Sequence, residues 1–307
     1  MSSHATRALR DIAIVAGNEL GEALRSRRVL ILALLFVGGS VAGTLVFIDV
    51  LQSVETSVAS ALNVTHAGKP GAMTGTLMHS EQFVQMLGNL IHDERLAREL
   101  SSLPPLALFY GWLGLTFMPV MVMLSATEAI SSELASGSAR FSLLRTSRLC
   151  FSAGKLVGQS LLVLTAIACG ALAVWITGFV SLSSFDPAGT ALWLLLLSLR
   201  IGVFAFAYVG LALGISHLTR SVPLSRALGL ASLLALAMLS GLLEHAAVVR
   251  RYAPDVADAV LVLLPRTHML DLWQPHIADR LPSIVMLSAL GIVYFALGYR
   301  FRARRDA

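Results

Sequence analysis

Charge is scarce in this sequence. Only 13% of its 307 residues are Asp, Glu, Lys or Arg, against roughly 25% in a soluble domain. That is too little to cover a water-facing surface, which excludes an ordinary cytosolic enzyme and a disordered chain. Cysteine is scarcer still, limited to Cys150 in a basic stretch and Cys169 in an apolar one. A disulfide scaffold is therefore excluded. Lysine is nearly missing: Lys69 and Lys155 stand beside 21 arginines. The chain also lacks GxxxxGK[ST], HExxH and GxSxG, so nothing in it reads as a nucleotide, metalloprotease or hydrolase site. Tandem repeats and low-complexity segments are absent too.

What is present is apolar. Hydrophobic residues make up 56% of the chain, and the mean hydropathy is +0.76. Uncharged runs cover Val29–Ile48, Leu106–Thr127, Leu156–Phe185, Ala227–Leu243 and Leu281–Tyr299, with Pro187–Ser216 broken only by Arg200. A span needs about 20 residues at 1.5 Å rise each. The pattern predicts an all-α integral membrane protein with six transmembrane helices. The first run is too long for a signal-peptide core and has no small-residue cleavage site after it.

Basic residues predict the orientation. Segments 1–28, 128–155, 217–226 and 300–307 hold 15 of the 23 Lys and Arg, and segments 49–105, 186–190 and 244–280 hold 7. The positive-inside rule then places both termini in the cytoplasm. The basic excess reads as membrane anchoring rather than nucleic-acid binding.

Residues 1–28 are expected to form an amphipathic helix in the inner interface, with Leu9, Ile12, Ala16, Leu20, Ala23 and Leu24 at helical spacing. Residues 29–307 then form the six-helix domain, with outer segments 49–105 and 244–282. Within the first of these, Ser80–Leu100 looks helical and ends before Leu103-Pro104-Pro105. Within the second, Ala259–Leu264 is apolar but too short to span before Pro265 stops it. His and carboxylates there (Glu244, His245, His268, Asp271, His276, Asp279) are metal-ligand types, yet their spacing fits no metal motif, so no metal is expected.

Stretch 128–155 is longer than a turn requires. It combines Glu128 and Glu133, a Ser136-Gly137-Ser138 break, then Arg140, Arg145, Arg148 and Lys155. Two readings stand: a segment that docks on a cytoplasmic partner, or a solvated positive anchor. Arg200 also has two readings. A charge inside a span costs roughly 2.5–3.5 kcal/mol on insertion scales, so it serves a pathway or subunit interface, or it snorkels or pairs with Asp49 or Asp186.

The 128–155 stretch resembles the signature region of ABC-2 type transporter permeases. That pattern runs E-x-x-x-G-[TS], a leucine pair, Ser-Arg, then Gly-Lys. Here the corresponding residues are Glu133, Gly137-Ser138, Leu143-Leu144, Ser147-Arg148 and Gly154-Lys155. Thr146 stands where many members carry proline. Glu19 with the arginines at 25–28, Pro265, and the tail Tyr299-Arg300-Phe301-Arg302 agree with the resemblance. It implies a permease subunit of an ATP-driven exporter in a bacterial inner membrane. Two such subunits pair, as homo- or heterodimer, and separate ATP-binding cassette subunits supply ATP and Mg beneath them. It also implies that Glu19, Glu133, Gly137, Ser138 and Arg148 couple to the ATPase. The rival classes are a stand-alone secondary transporter and a membrane scaffold for a periplasmic maturation pathway.

Overall fold

A computed structural model of the chain describes residues 2–61, 71, 80–81, 84–85, 88–89, 94–245 and 254–305. All regular structure among them is helical. Helix α1 (Ser2–Arg25) is followed after a one-residue break at Ser26 by α2 (Arg27–Ala61). Then come α3 (Glu94–Ser101), α4 (Pro105–Ala126), α5 (Ser131–Ser136), α6 (Ala139–Leu143), α7 (Arg148–Ser181), α8 (Pro187–Ser216), α9 (Val222–His245), α10 (Pro254–Val262) and α11 (Ile277–Arg305). Six helices are long and apolar enough to cross a membrane: α2, α4, α7, α8, α9 and α11.

The spans are longer than their uncharged cores, for local reasons. Helix α7 begins at Arg148 rather than Leu156, because the Ser147 side chain accepts from the Cys150 N–H at 3.1 Å and caps it. Lys155 therefore sits two turns inside a spanning helix, not in a loop. Asp186 caps α8 in the same way through the Gly189 N–H, with Pro187 at the first helical position. The first span runs Val29–Ser57, well past Ile48. Within the Ser80–Leu100 expectation, residues 82–83, 86–87 and 90–93 lie outside the described residues; α3 accounts for its end. Helix α10 is nine residues, about 14 Å, so it does not span. It packs Ala257 and Leu261 on Leu243 of α9.

Helices α4 and α8 form the centre. Leu106, Tyr110, Met118 and Val122 of α4 are buried with Leu197, Ile201, Phe204 and Leu213 of α8. The buried Tyr110 hydroxyl donates to the Ile167 carbonyl of α7 at 2.6 Å, so this donor is not left unpaired in an apolar interior. Small residues set the tightest crossing. A Cβ on Gly210 or Gly214 of α8 would strike the backbone of α11 at Gly291 or Tyr294. Such backbone contact needs glycine on both helices, in the manner of small-residue crossings in lipid. By contrast, α2 and α9 leave apolar faces uncovered, among them Leu34 and Leu35, and Leu234 and Met238.

The basic segments gather at one end. Helix α1, residues 127–148, the α8–α9 turn and the end of α11 all meet there. The α7–α8 turn, Gly71 and Leu103 to Leu106 meet at the other end, and Trp273 packs on Leu96, Leu100 and Leu103 there.

Candidate functional site

The site is built at the start of α7. Gly154 and Gly158 lie four residues apart and face α1. A Cβ on Gly154 would lie 2.5 Å from the Val15 Cβ, and one on Gly158 2.8 Å from the Glu19 Cβ. Only hydrogen at these positions lets α1 lie directly against α7. The amphipathic face predicted for α1 is corrected in part: Ile12, Ala16, Leu20 and Ala23 lie toward the bundle, but Leu9 and Leu24 face away. Glu19 is in the buried stripe instead.

Lys155, between the two glycines, pairs with both Glu19 of α1 and Glu133 of α5. Gln159, one turn on, donates to the second Glu19 oxygen at 2.6 Å. The ammonium also lies 5.8 Å from the Phe151 ring centre. The Lys155 and Glu19 side chains are only 5% and 8% exposed and that of Glu133 17%, so water screens this triad little. Glu22 brings a third carboxylate oxygen within 4.8 Å of those of Glu19 and Glu133. The Lys155 ammonium pairs with two of the three, Glu19 and Glu133.

A second set of ties holds the residues just before. Arg226 of α9 pairs with Glu128. The Ser216 hydroxyl at the end of α8 accepts from the N–H groups of Ile130 and Ser131, at 3.1 and 2.9 Å. The Ser225 hydroxyl donates to the Thr127 carbonyl at 2.5 Å. Residues 127–133 are thus fixed to α1, α7, α8 and α9 together.

Beyond them the chain changes character at Gly137. Its φ of +78° ends α5 in the left-handed region, which glycine adopts without strain. Ser138 follows at the turn, its hydroxyl 3.0 Å from that of Ser136. Helix α6 then projects from the bundle. Phe141 and Leu144 are 74% and 83% exposed, flanked by exposed Arg140, Arg145 and Arg148.

Of the residues singled out from sequence, Glu19 and Glu133 are brought together, but inward on Lys155 rather than on the projecting surface. Gly137 and Ser138 form the bend, and Arg148 opens α7. Arg200 lies apart, near the middle of α8. Its Nη1 donates to the Leu272 carbonyl at 3.0 Å, so the expected partners Asp49 and Asp186 give way to a backbone oxygen. The adjoining Trp273 ring fills the space over Gly111 of α4, where a Cβ would come within 2.5 Å. Arg200 therefore pins the turns before α11 onto the bundle. In those turns His268 and Asp271 come within 3.8 Å, and both bond Ser283. Among the described residues no third ligand joins them. The side chains of Glu244 and His245 lie outside the described residues.

Sequence reasoning missed Lys155, Gln159, Glu128 and Arg226 as site residues. The usable signal was Gly154-Lys155-Leu156-Val157-Gly158 at the start of an apolar run. Small residues four apart mark a helix crossing, and a lysine between them must find an acid on what crosses.

No curated protein matches the chain. The family model for ABC-2 family transporter proteins matches residues 13–307, which takes in most of α1, the ion triad, the projecting segment and all six spans. A multi-pass helical membrane protein with this signature at one end of its bundle, the chain belongs to the ABC-2 transporter family.

Proposed function

We propose that this chain is the permease subunit of an ATP-driven exporter in a bacterial inner membrane. It forms the translocation pathway with a second permease copy, identical or related, and separate ATP-binding subunits hydrolyse ATP with Mg at its basic end. That end faces the cytoplasm, as the distribution of arginine favours. The chain itself is a transport component rather than an enzyme.

One observation carries this reading. An exposed apolar pair, Phe141 and Leu144, sits on a short projecting helix whose root is tied through Glu133 to Lys155 of a span. Aromatic and aliphatic anchors flanked by arginine are the usual make-up of a docking surface. A push on α6 reaches Gly137, then Glu133, then α7 and α1 together. The uncovered faces of α2 and α9 supply the apolar area a second permease copy or lipid would cover.

The test is co-purification of the ATP-binding subunit with wild-type chain, with Phe141→Ala/Leu144→Ala and with Gly137→Pro, followed by ATP turnover in lipid. The double alanine variant should lose at least tenfold in association. Gly137→Pro should bind but uncouple hydrolysis from transport, because proline cannot adopt the left-handed bend. Transport by the wild-type chain with no ATPase bound would make it a secondary transporter instead.

A further inference from the structure

Beside the ion triad a cavity of about 400 Å³ opens between α1, the start of α2, residues 125–129, α5 and α7. Val29, Ser125 and Gln159 line it, and the same three line a shallow apolar groove between α2, α4 and α7. Leu32 and Phe36, Met118 and Met121, and Leu162 and Val163 face that groove from the three helices. The two are thus continuous: a polar mouth at the basic end leads into an apolar channel along the spans.

The mouth carries a surplus negative charge. Glu19, Glu22, Glu128 and Glu133 line it with only Arg27 and Lys155, and Arg226 neutralises Glu128. One more carboxylate than cation remains. Lys155 is taken by Glu19 and Glu133. Glu22 is exposed, and among the described residues no cation pairs with it.

Gln159 gives an independent sign of a ligand. It is only 6% exposed. Its amide N–H donates to Glu19 at 2.6 Å, and among the described residues its carbonyl oxygen accepts no hydrogen bond. That oxygen is not sealed in the interior, so it opens on the space its residue lines. A nearly buried acceptor without a donor calls for an explanation. Free acceptors beside a surplus negative charge suit a group that is both donor and cation, and an ammonium has three N–H donors and no acceptor. The groove chooses what the ammonium is attached to. A metal ion gains nothing from Leu32, Met121 or Leu162, whereas an alkyl chain continues along them, and Met118 and Met121 are flexible enough to mould to it.

We propose that the cavity and groove together bind an amphiphilic alkylammonium, its primary ammonium on Glu22 and Gln159 and its chain along α2, α4 and α7. Bound there, it balances the charge of the mouth, satisfies the Gln159 oxygen and braces α1 against the start of α2.

The test uses the full chain in dodecyl maltoside with dansylcadaverine, a primary ammonium carrying a fluorescent apolar end. Competitors are titrated against its bound emission. Decylamine should displace it saturably. Decanol, butylamine, decyltrimethylammonium and dihexanoyl phosphatidylethanolamine should each need at least tenfold more. Glu22→Gln, at an exposed position outside the ion pairs of the triad, should weaken dansylcadaverine and decylamine at least tenfold while circular dichroism stays unchanged. Equal displacement by decanol would reduce the site to an apolar crevice, and by butylamine to a plain cation site. Equal displacement by decyltrimethylammonium would mean that no N–H is received, and by phosphatidylethanolamine that a phospholipid is the occupant. Any of these, or an unaffected Glu22→Gln, overturns the proposal. No ATP-binding subunit is present, so failure here leaves the permease reading untouched.

Discussion

Replacing Lys155 by methionine removes the one cation shared by Glu19 and Glu133 while keeping the length of the side chain. Breaking a buried pair by deleting one partner costs about 3–5 kcal/mol, since the remaining charge stays desolvated. The exposures of 5%, 8% and 17% for the three side chains place this triad in that class rather than among surface pairs. Two carboxylates are stranded here, with Glu22 beside them. Uptake of a proton by one of them is the main relief available, so the lower end, about 3 kcal/mol, is the expected loss. That is roughly a hundredfold in the folded-to-unfolded ratio. The assay is unfolding in mixed micelles by SDS titration, comparing wild type, Lys155→Met, and Lys155→Met with Glu19→Gln and Glu133→Gln. The triple variant should recover most of the loss, because a buried ionic network replaced entirely by neutral groups can be nearly neutral. A loss under 0.5 kcal/mol in Lys155→Met, or no recovery in the triple variant, would refute the claim that the triad ties α1 and α5 to α7.

Further outcomes follow from other contacts. Gly154→Leu or Gly158→Leu should lift α1 from α7 and raise tryptic cleavage at Arg25 at least tenfold, since even a Cβ would lie 2.5–2.8 Å from Val15 or Glu19; unchanged cleavage would mean the helices can part at no cost. Arg200→Leu leaves the Leu272 carbonyl without its donor and should speed cleavage at Arg266 several-fold, an effect that a snorkelling arginine would not produce. The His217 pKa is lowered to about 3 from 6.5 by burial and by Arg302. Between those values the unfolded chain binds more protons, so stability in lipid-free detergent should fall as pH drops below 6.5, by up to about 1.4 kcal/mol per pH unit from this group. His217→Phe should flatten that slope, and an unaltered profile would show that the ring is not held neutral. Single cysteines at Ser57, Ser138 and Asp258 report sidedness through an impermeant maleimide on intact cells, and labelling at 138 alone would reverse the orientation.

The spans were legible because bilayer thickness imposes a length that few other constraints imitate. Their ends were not, because helix ends depend on single capping side chains such as Ser147 and Asp186 rather than on hydropathy. The same limit hid the triad. Glu19, Glu133 and Lys155 are each readable as solvated charges at a membrane boundary, and sequence spacing does not show that they converge across more than a hundred residues. Gly154 and Gly158 carried that information in principle, since small residues four apart specify a close crossing, but they name no partner helix. For Arg200 the partners weighed from sequence were Asp49 and Asp186, whereas the structure supplies a carbonyl from a turn whose position only the fold defines.

Two sets of ties near the basic end of the bundle differ in kind, and that difference bears on motion. Between α8 and α11 the backbones touch at Gly210, Gly214, Gly291 and Gly298. Sliding there would drive Cβ-bearing neighbours into backbone, so the crossing is rigid. Around Glu128 the ties are an ion pair and hydroxyl hydrogen bonds near the end of the spans. These can be exchanged for bonds to water once the segment moves. A load on α6 therefore meets a stiff lever at Glu133–Lys155–Glu19, which turns α1 and α7 as one body. The bonds of Ser216, Ser225 and Arg226 to residues 127–131 are the ones placed to yield. Weakening them by Ser216→Ala and Arg226→Gln should thus lower the force needed to displace the segment while leaving the α1–α7 pairing intact. Strengthening of that pairing's dependence on Arg226 would contradict the division into a moving and a fixed half.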